Sequence, residues 1–593
     1  MKKTVIIVVA VSILMVAGFA GFLYMMNKNS EKIRDEQTRA GAEESGIVSL
    51  QEEHFALNIP GTEEVKELVV AGEQANVLLF GNAGAADIYN ADHTAQIKSQ
   101  LERMQSKKEY TFKEPLLSYN PYGTNACGLY IYFETEGKSY LNYTVSAPDE
   151  NIPDYTRTMK ENAVNGKNAY EYLITGLIPG MENYVRLRLL SDDGREVETV
   201  IYKINMPASP YGSPSSVACS YPGDPKAVSN GLYYMYGCGS ASIPAYDNAG
   251  YLREEIPLIE ENAIGLVIGE AGMYVAPSTG CVAKLSVTGE VLSVVNTTGH
   301  NITSCMDYNG MGQIVCVSGR QDRKTTGDVI ISVDMETGQV NEVTDFRKLL
   351  RRYYKLYAKA DKKSDWLGIN SLVFFDKQDV IVSAGGISSI IKIDNVTSKN
   401  PVVNYVIGDR KSWESAGMAD KCLTKTDEKE ESETTDGKDE TEAAADGGEG
   451  DAGKIDNILE KMDAGDEPFG NPKNQTGAIP YMNTENENAV DESGSFVPVT
   501  SYYLSTISGN DGASSEYLRY KIDEESRTCA LTRQQAVSPV SGRGSLCQSG
   551  VNYVVSDGSS GVYETDVNGN ICITLGINVA NCDKYSMKDF RFR

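Results

Sequence analysis

Residues 331–338 read Ile-Ser-Val-Asp-Met-Glu-Thr-Gly, a short alternating strand that closes on an aspartate and a glycine turn. Related strand ends occur elsewhere in the second half of the chain, at Ile390–Asp394, Arg519–Asp523 and Val562–Gly569. Alternating apolar and polar residues indicate a half-buried strand, and a following glycine indicates a tight turn. The fold is therefore decided by a strand unit that repeats.

Six copies of this unit follow one another along the chain, at 231–257, 266–295, 302–345, 371–408, 499–535 and 546–577. Repeats of about 40 residues that each hold several strands are typical of propeller blades. Irregular repeats of a β-sandwich are the alternative, and the shared ending of each unit argues against them. We predict a six-bladed β-propeller over residues 208–593.

The region before the repeats also has strand-like alternation, as in Leu129–Phe133 and Tyr140–Val145. Tyr170–Gly180, followed by Tyr184, resembles the corner of a fibronectin type III-like sandwich, where a tyrosine hydroxyl bonds to upstream backbone. We predict an immunoglobulin-like β-sandwich over residues 111–207, acting as a structural spacer, and an all-β fold class for the whole.

The N-terminus predicts a membrane anchor. Residues 4–26 are uncharged and mainly apolar, and about 20 such residues span a bilayer as a helix. Because Lys2 and Lys3 precede this run, the bulk of the chain should lie outside the cytoplasm. We assign 1–28 to a transmembrane signal-anchor of a single-pass cell-membrane protein, and 29–110 to a stalk and helical segment. A cleaved signal peptide is the alternative, since small residues lie near the end of the run.

Composition excludes several function classes. The net charge is −27, from 82 acidic and 55 basic residues, so the chain lacks the basic surplus that nucleic-acid binding needs. Only three histidines are present, His54, His93 and His300, and none of the 11 cysteines shows CxxC spacing. No metal site and no cofactor is predicted.

Two insertions interrupt the blades. The basic and aromatic stretch Phe346–Lys363 predicts a helix between blades; we expect it to cap the propeller edge, and contact with anionic lipid or an acidic partner is the alternative. The stretch 421–497 begins with a strongly acidic segment that has too few apolar residues to order itself. We predict a disordered acidic insertion there.

Several segments resemble bacterial aryl-sulfate sulfotransferases. Ser118–Asn125 is similar to a motif of that family's N-terminal domain, and His300–Ile302 before Asn309 is similar to its H-D-I…N-G-N strand. Asp365–Ser371 resembles its D-W-x-H-x-N-S motif, and Val382–Asp394 resembles its S-S-R-H-Q-S-x-I-I-K-I-D strand. The resemblance runs from about residue 50 to the C-terminus, apart from the acidic insertion.

The resemblance implies transfer of a sulfuryl group from a phenolic sulfate to another phenol, without a nucleotide sulfate donor. It also implies a histidine at the propeller axis that attacks sulfur and carries a sulfohistidine. Further histidines and an arginine would neutralise the charge on the sulfate oxygens. Positioned cationic donors of this kind lower the barrier to such a transfer.

The sequence departs from this family pattern at the catalytic positions. Gly368 stands where the motif has histidine, and Gly385 and Gly386 stand where it has arginine and histidine. The stretch Ser493–Asp511, which corresponds to the segment of the family's nucleophile, contains no histidine. The two adjacent glycines either open space at the axis or form a closed strand crossing.

His300 is the candidate catalytic residue that remains, and a strand-edge histidine without a task is the alternative. Asn370 is a candidate substrate-binding residue, and a structural role in the link between blades is its alternative. We predict a catalytically degenerate relative that binds a phenolic or sulfated small molecule or a cell-envelope protein. An active sulfotransferase with a replaced nucleophile and a structural cell-envelope protein are the other hypotheses.

Overall fold

The computed structural model describes residues 65–586, with gaps at 82, 160–167, 192, 238, 240, 262–264, 270–271, 360–363, 376–377, 399, 428–467, 482–500, 510–513, 541–543, 560 and 567–568. The predicted transmembrane anchor lies outside the described residues. Within them, no helix is both long and apolar enough to cross a bilayer.

The N-terminal domain is a β-sandwich of a five-stranded sheet, in the order β1-β8-β7-β4-β5, and a three-stranded sheet, β2-β3-β6. In β7 the side chains alternate between buried and partly exposed, which is the pattern of a strand with one face on a core. The strands are β1 (Val65–Leu68), β2 (Leu116–Tyr119), β3 (Leu129–Glu134), β4 (Ser139–Ser146), β5 (Tyr155–Met159), β6 (Ala169–Ile174), β7 (Glu182–Ser191) and β8 (Glu196–Asn205).

The second domain consists of six sheets, which form the blades of a propeller. The first three blades contain β10 (Leu232–Tyr236), β11 (Ser242–Tyr246) and β12 (Leu252–Pro257) in blade 1; β13 (Leu266–Gly269), β14 (Gly272–Ser278), β15 (Cys281–Leu285) and β16 (Val291–Asn296) in blade 2; and β17 (His300–Tyr308), β18 (Gln313–Arg320), β19 (Val329–Asp334) and β20 (Val340–Asp345) in blade 3. The other three contain β21 (Ile369–Phe374), β22 (Val380–Ala384), β23 (Ser389–Asp394) and β24 (Val402–Ile407) in blade 4; β25 (Thr424–Thr426), β26 (Thr476–Tyr481), β27 (Ser501–Ser508), β28 (Ser515–Asp523) and β29 (Thr528–Val537) in blade 5; and β30 (Ser545–Ser549), β31 (Asn552–Ser556), β32 (Gly561–Thr565) and β33 (Ile571–Gly576) in blade 6. Two further strands lie at the ends of the domain, β9 (Ala218–Ser220) at its start and β34 (Asn581–Tyr585) at its end.

The two ends of the propeller domain close the ring. The last strand, β34, pairs antiparallel with β10 and is the innermost strand of blade 1, whereas β9 from the start of the domain joins the outside of blade 6. The Tyr585 hydroxyl donates a hydrogen bond to the carbonyl of Leu266 in blade 2 at 2.8 Å. Strands from distant parts of the sequence therefore meet at the central axis.

Short helices connect these elements, and the longest described helix, Ala91–Gln105, is capped by the Asn90 side chain, which accepts a hydrogen bond from the Asp92 amide. The described helices are Ala85–Ile88, Ala91–Gln105, Phe346–Leu349, Arg351–Tyr353, the π-helical Tyr354–Ala358, Arg410–Ser415 and the 3₁₀ turns Pro225–Ala227, Gly385–Ile387 and Ala419–Lys421. Phe346 and Leu350 are fully buried beside Trp413, so this helical insertion covers the edge of blade 4.

A buried arginine joins the two domains. Arg253, on the outermost strand of blade 1, is ion-paired with Asp247 at 2.7 Å. Its guanidinium also donates to the carbonyls of Gly176 and Pro153 in the sandwich, at 3.0 and 2.6 Å. Each of the three guanidinium nitrogens therefore donates a hydrogen bond, which offsets part of the cost of burying the charge at the joint.

The all-β prediction is confirmed, and two details of the sequence interpretation need correction. The stretch 421–497, predicted as a disordered insertion, contains two described strands, β25 and β26, and β26 is the innermost strand of blade 5. The tyrosine corner is also wrong: the buried Asn183 side chain, not Tyr184, bonds to the backbone of Ile178. An amide supplies both donor and acceptor to that corner.

Candidate functional site

A cavity of about 340 Å³ lies on the propeller axis and is lined by the innermost strands of all six blades. The inner strand of each blade lies next to the axis, and its side chains form part of the cavity wall. The lining residues are Tyr236, Gly265, Leu266, Val267, Ser304, Cys305, Met306, Asp307, Asn370, Ser371, Leu372, Val373, Ile479, Ser545, Leu546, Cys547, Gln548, Asn581, Asp583, Lys584 and Tyr585.

Two aspartates give this cavity its charge. Asp307 lies near the end of β17, and its carboxylate accepts hydrogen bonds from the amides of Phe374 and Tyr308, both at 2.8 Å. The pKa of Asp307 is raised to about 6, chiefly by burial and to a smaller extent by the charge of Asp583. The two amides act in the opposite direction and lower this pKa. Burial likewise raises the pKa of Asp583 to about 6, and the Tyr236 hydroxyl acts in the opposite direction.

Among the described residues that line the cavity, none carries an imidazole or a guanidinium. Lys584, the one lysine among them, directs its ammonium group away from the axis. That group is 2.7 Å from Glu564 and also donates to the Ser229 carbonyl and to the Tyr233 hydroxyl. Both side chains of the Lys584–Glu564 pair are fully buried, so the positive charge of Lys584 is used in the wall and not in the cavity.

The structure places His300 away from the axis, at the first residue of β17. Its Nε2 lies 3.3 Å from a carboxylate oxygen of Glu342, on the outermost strand of the same blade. Arg320 shares that oxygen at 3.1 Å and also pairs with Asp322 at 2.8 Å. The imidazole is thus part of an ion-pair cluster at the blade edge, and it does not line the axial cavity.

Asn370 is at the cavity wall, but its amide group is used between blades. Its Nδ2 donates to the Gln475 carbonyl at 2.8 Å, and its Oδ1 accepts from the Gly477 amide at 3.3 Å. This arrangement ties blade 4 to the innermost strand of blade 5, β26. The two candidate residues from the sequence, His300 and Asn370, are therefore not brought together.

The three glycines that depart from the family motifs, Gly368, Gly385 and Gly386, meet in a closed crossing at one end of blade 4. The Gly385 and Gly386 amides donate to the carbonyls of Gly368 and Leu367, at 3.1 and 2.9 Å. A Cβ atom on Gly368 would lie 2.8 Å from the Gly386 nitrogen, and one on Gly386 would lie 2.9 Å from the Leu367 carbonyl carbon. A side chain at either position would therefore displace backbone.

The sequence interpretation missed Asp307, Asp583 and Tyr236. The signal for Asp583 was available in Asn581–Tyr585, an alternating stretch after the last recognised repeat, which becomes the closing strand β34. Asp307 carried a weaker signal, since an acidic residue in an otherwise ordinary strand is more often on a solvated face. The structure describes no group of three His, Cys, Asp or Glu residues that could hold a metal ion.

Comparison with known proteins supports the resemblance found in the sequence. The family model described as "Arylsulfotransferase (ASST)" matches residues 221–589, and the model described as "Arylsulfotransferase Ig-like domain" matches residues 116–207. No curated protein matches the chain significantly.

Solved structures give weaker likenesses. The periplasmic gluconolactonase PpgL of Pseudomonas aeruginosa is 8% identical, with a TM-score of 0.29, and the match covers 76% of this chain and 99% of that one. An auxiliary nutrient binding protein of Bacteroides thetaiotaomicron is 10% identical, with a TM-score of 0.27, covering 77% and 87%. Likenesses this low assign no function. The family match covers most of the chain, however, and the chain therefore belongs to the arylsulfotransferase family.

Proposed function

We propose that this chain is a membrane-anchored, extracytoplasmic arylsulfotransferase relative that has lost sulfuryl transfer and binds a ligand or partner through its propeller. The observation that carries the proposal is the axial cavity, whose described lining residues include two carboxylates and neither histidine nor arginine. An open cavity on the propeller axis favours binding over a purely structural role in the cell envelope.

Charge is the first support. Sulfuryl transfer places negative charge on the sulfate oxygens, and catalysis depends on fixed donors or cations aimed at that charge. Asp307 and Asp583 would repel a sulfate ester that entered the cavity, and this repulsion is strong where water is partly excluded. The Lys584 ammonium cannot offset it, because it is held by Glu564.

The crossing of Gly368, Gly385 and Gly386 is the second support. Their predicted Cβ positions collide with backbone atoms, so histidine or arginine cannot be restored there without moving the strand ends. The sequence left open whether these glycines widen the site. Their mutual hydrogen bonds favour the closed alternative, in which the catalytic positions are filled by main chain.

A replaced nucleophile is the alternative function, and the cavity offers poor candidates. Burial raises the pKa of the Cys305 thiol to about 12 and also raises the pKa of the Cys547 thiol. Burial raises the pKa of the Tyr236 hydroxyl as well. Since the thiolate or phenolate is the reactive form, these groups are largely inactive at neutral pH.

The membrane part of the proposal depends on the sequence alone. Residues 4–26 have the length and apolar character of a spanning helix, and the lysines before them favour a cytoplasmic N-terminus. Fractionation of cells with carbonate extraction, together with protease accessibility of the propeller, would test it. Release of the chain into the soluble fraction would contradict the anchor.

The enzymatic part is tested by turnover of p-nitrophenyl sulfate with phenol as the acceptor. We expect no nitrophenolate release above the rate without protein, for the natural chain and for His300→Ala alike. Robust turnover that is lost in His300→Ala would contradict the proposal and assign the imidazole a catalytic role.

A further inference from the structure

The charge of the axial cavity points to a different class of ligand from the one that the family transfers. Asp307 and Asp583 come from blades 3 and 1, and their charges influence each other across the cavity. In the described part of the chain, neither carboxylate has an arginine, lysine or histidine among the groups that set its pKa. Two carboxylates in one cavity without a cation are electrostatically unfavourable.

An independent feature lies on the same wall. The Tyr236 side chain is only 4% exposed, and its hydroxyl makes no well-formed hydrogen bond within the described residues, where the Asp583 carboxyl is the group it interacts with. Burying a hydroxyl without a hydrogen bond is unfavourable, so buried hydroxyls are usually paired with protein, water or a ligand. The hydroxyl lies near enough to Asp583 to hold down the pKa of that carboxyl.

The rest of the wall is suited to a small organic body. Apolar side chains from several blades face the cavity, among them Leu266, Val267, Met306, Leu372 and Ile479. The volume of about 340 Å³ is at the lower end of the range of about 300–1,000 Å³ that is usual for small-molecule sites. The rings of Tyr236 and Tyr585 would also favour a positive charge placed over them.

A metal ion suits this wall less well than an organic cation. Calcium takes 6–8 oxygen ligands, and magnesium requires a compact octahedral set. The described residues hold no group of three side chains with metal-binding chemistry.

We propose that the axial cavity binds a small organic amine, with its ammonium group between Asp307 and Asp583 and its hydrocarbon part against the apolar wall. This inference rests on the proposed function, because a working sulfuryl-transfer site needs the opposite charge at the same place. The Tyr236 oxygen would accept a hydrogen bond from the bound ammonium group.

The test uses three phenols that share one ring and differ in charge: tyramine, 4-ethylphenol and 4-hydroxyphenylacetate. Each is titrated into the full chain at pH 7.5 by calorimetry. We expect tyramine to bind at least about tenfold more tightly than 4-ethylphenol, and 4-hydroxyphenylacetate to bind more weakly than either. Equal binding of the three, or tighter binding of the carboxylate, would overturn the inference.

Variants identify the site. In Asp583→Asn, which keeps the shape of the side chain, the preference for tyramine over 4-ethylphenol should shrink by about tenfold. The same change in Asp307→Asn should reduce the preference as well. The control Asp92→Asn, on the exposed helix Ala91–Gln105, should leave it unchanged. A preference that survives both axial substitutions would place the amine elsewhere and overturn the proposal.

Two further outcomes are informative. The first is competition by calcium chloride or magnesium chloride, at concentrations at which the natural chain and Asp92→Asn stay equally folded. If either salt displaces bound tyramine, the site prefers a metal ion and the inference fails. Turnover of p-nitrophenyl sulfate would contradict the proposed function whichever probe binds. Absence of turnover together with no preference for tyramine overturns only the present inference.

Discussion

The two ends of strand β17 differ in chemistry although they belong to one strand of nine residues. At its start, His300 lies in a cluster at the blade edge in which Arg320 and Glu342 are paired. Near its other end, Asp307 faces the axis, and no basic group of the described residues contributes to its pKa. Cationic and imidazole groups are thus present in blade 3, but they are placed where they cannot meet a substrate in the cavity.

The presence of histidine and arginine in a blade therefore does not by itself define a site for an anion. The edge cluster is neutralised within itself, so its charges stabilise the blade and contribute little to the field at the axis. The axis carries charges that the fold leaves uncompensated, at a cost to stability. Such a cost is typical of a binding site, where a ligand supplies the missing charge.

The largest expected effect comes from Lys584, which is adjacent in sequence to Asp583 but fully paired in the wall. Lys584→Met leaves the Glu564 carboxylate buried without its ammonium partner, and we expect a loss of about 3–5 kcal/mol in unfolding free energy. Urea denaturation followed by circular dichroism measures it. The matched control Lys113→Met breaks an exposed pair with Glu198 and should change the unfolding free energy far less, because solvent screens that pair. Equal losses in the two variants would contradict this account of the wall.

The closed glycine crossing gives the next effect. In Gly385→Ala the new methyl group would lie 2.6 Å from the Gln475 carbonyl oxygen and 2.9 Å from the Asn370 side chain. Overpacking of this kind costs about 1–3 kcal/mol, and we expect a corresponding fall in the urea midpoint. Gly470→Ala is the control, because nothing lies within 4 Å of its Cβ position. If Gly385→Ala is as stable as this control, the crossing is open and histidine or arginine could be accommodated.

A smaller effect is expected from Asp583→Asn, and it should depend on pH. The folded-state pKa of about 6 is above the usual 3.8, so the folded chain binds more protons between these values and loses stability as pH rises through them. Removing the charge should therefore stabilise the fold by about 1–2 kcal/mol at pH 7.5, and the gain should vanish towards pH 4. Thermal unfolding at several pH values measures this. A destabilised variant at pH 7.5 would mean that Asp583 has a cationic partner.

The smallest effect concerns the edge cluster. His300→Gln keeps a hydrogen-bonding group near Glu342, and Arg320 retains its own contact with that carboxylate. We expect a change in unfolding free energy of less than about 1 kcal/mol and no change in tyramine binding. Titration of the variant with tyramine checks the second point. A marked loss of binding would place His300 in communication with the axis and remove the distinction between the two ends of β17.

Much of the fold could be predicted because it depends on local alternation and turns. The repeating unit around Ile331–Gly338 identified the blades. The lining of the axis could not be predicted in the same way. The pairing register of β17 shifts between Ile302 and Met306, which changes which of its side chains face the axis. Strand β34 lies at the axis because it pairs with β10, which is far away in sequence. Such long-range pairing leaves no periodic signal.

The most direct measurement is a burst experiment with excess p-nitrophenyl sulfate and no acceptor. The release of nitrophenolate and the intact mass of the protein are both recorded. If the axial groups that carry the sulfuryl group have been lost, no burst of nitrophenolate occurs and the mass is unchanged. A burst of one nitrophenolate per chain, with a sulfuryl group mapped to a side chain of the axial cavity or to His300, would contradict the account.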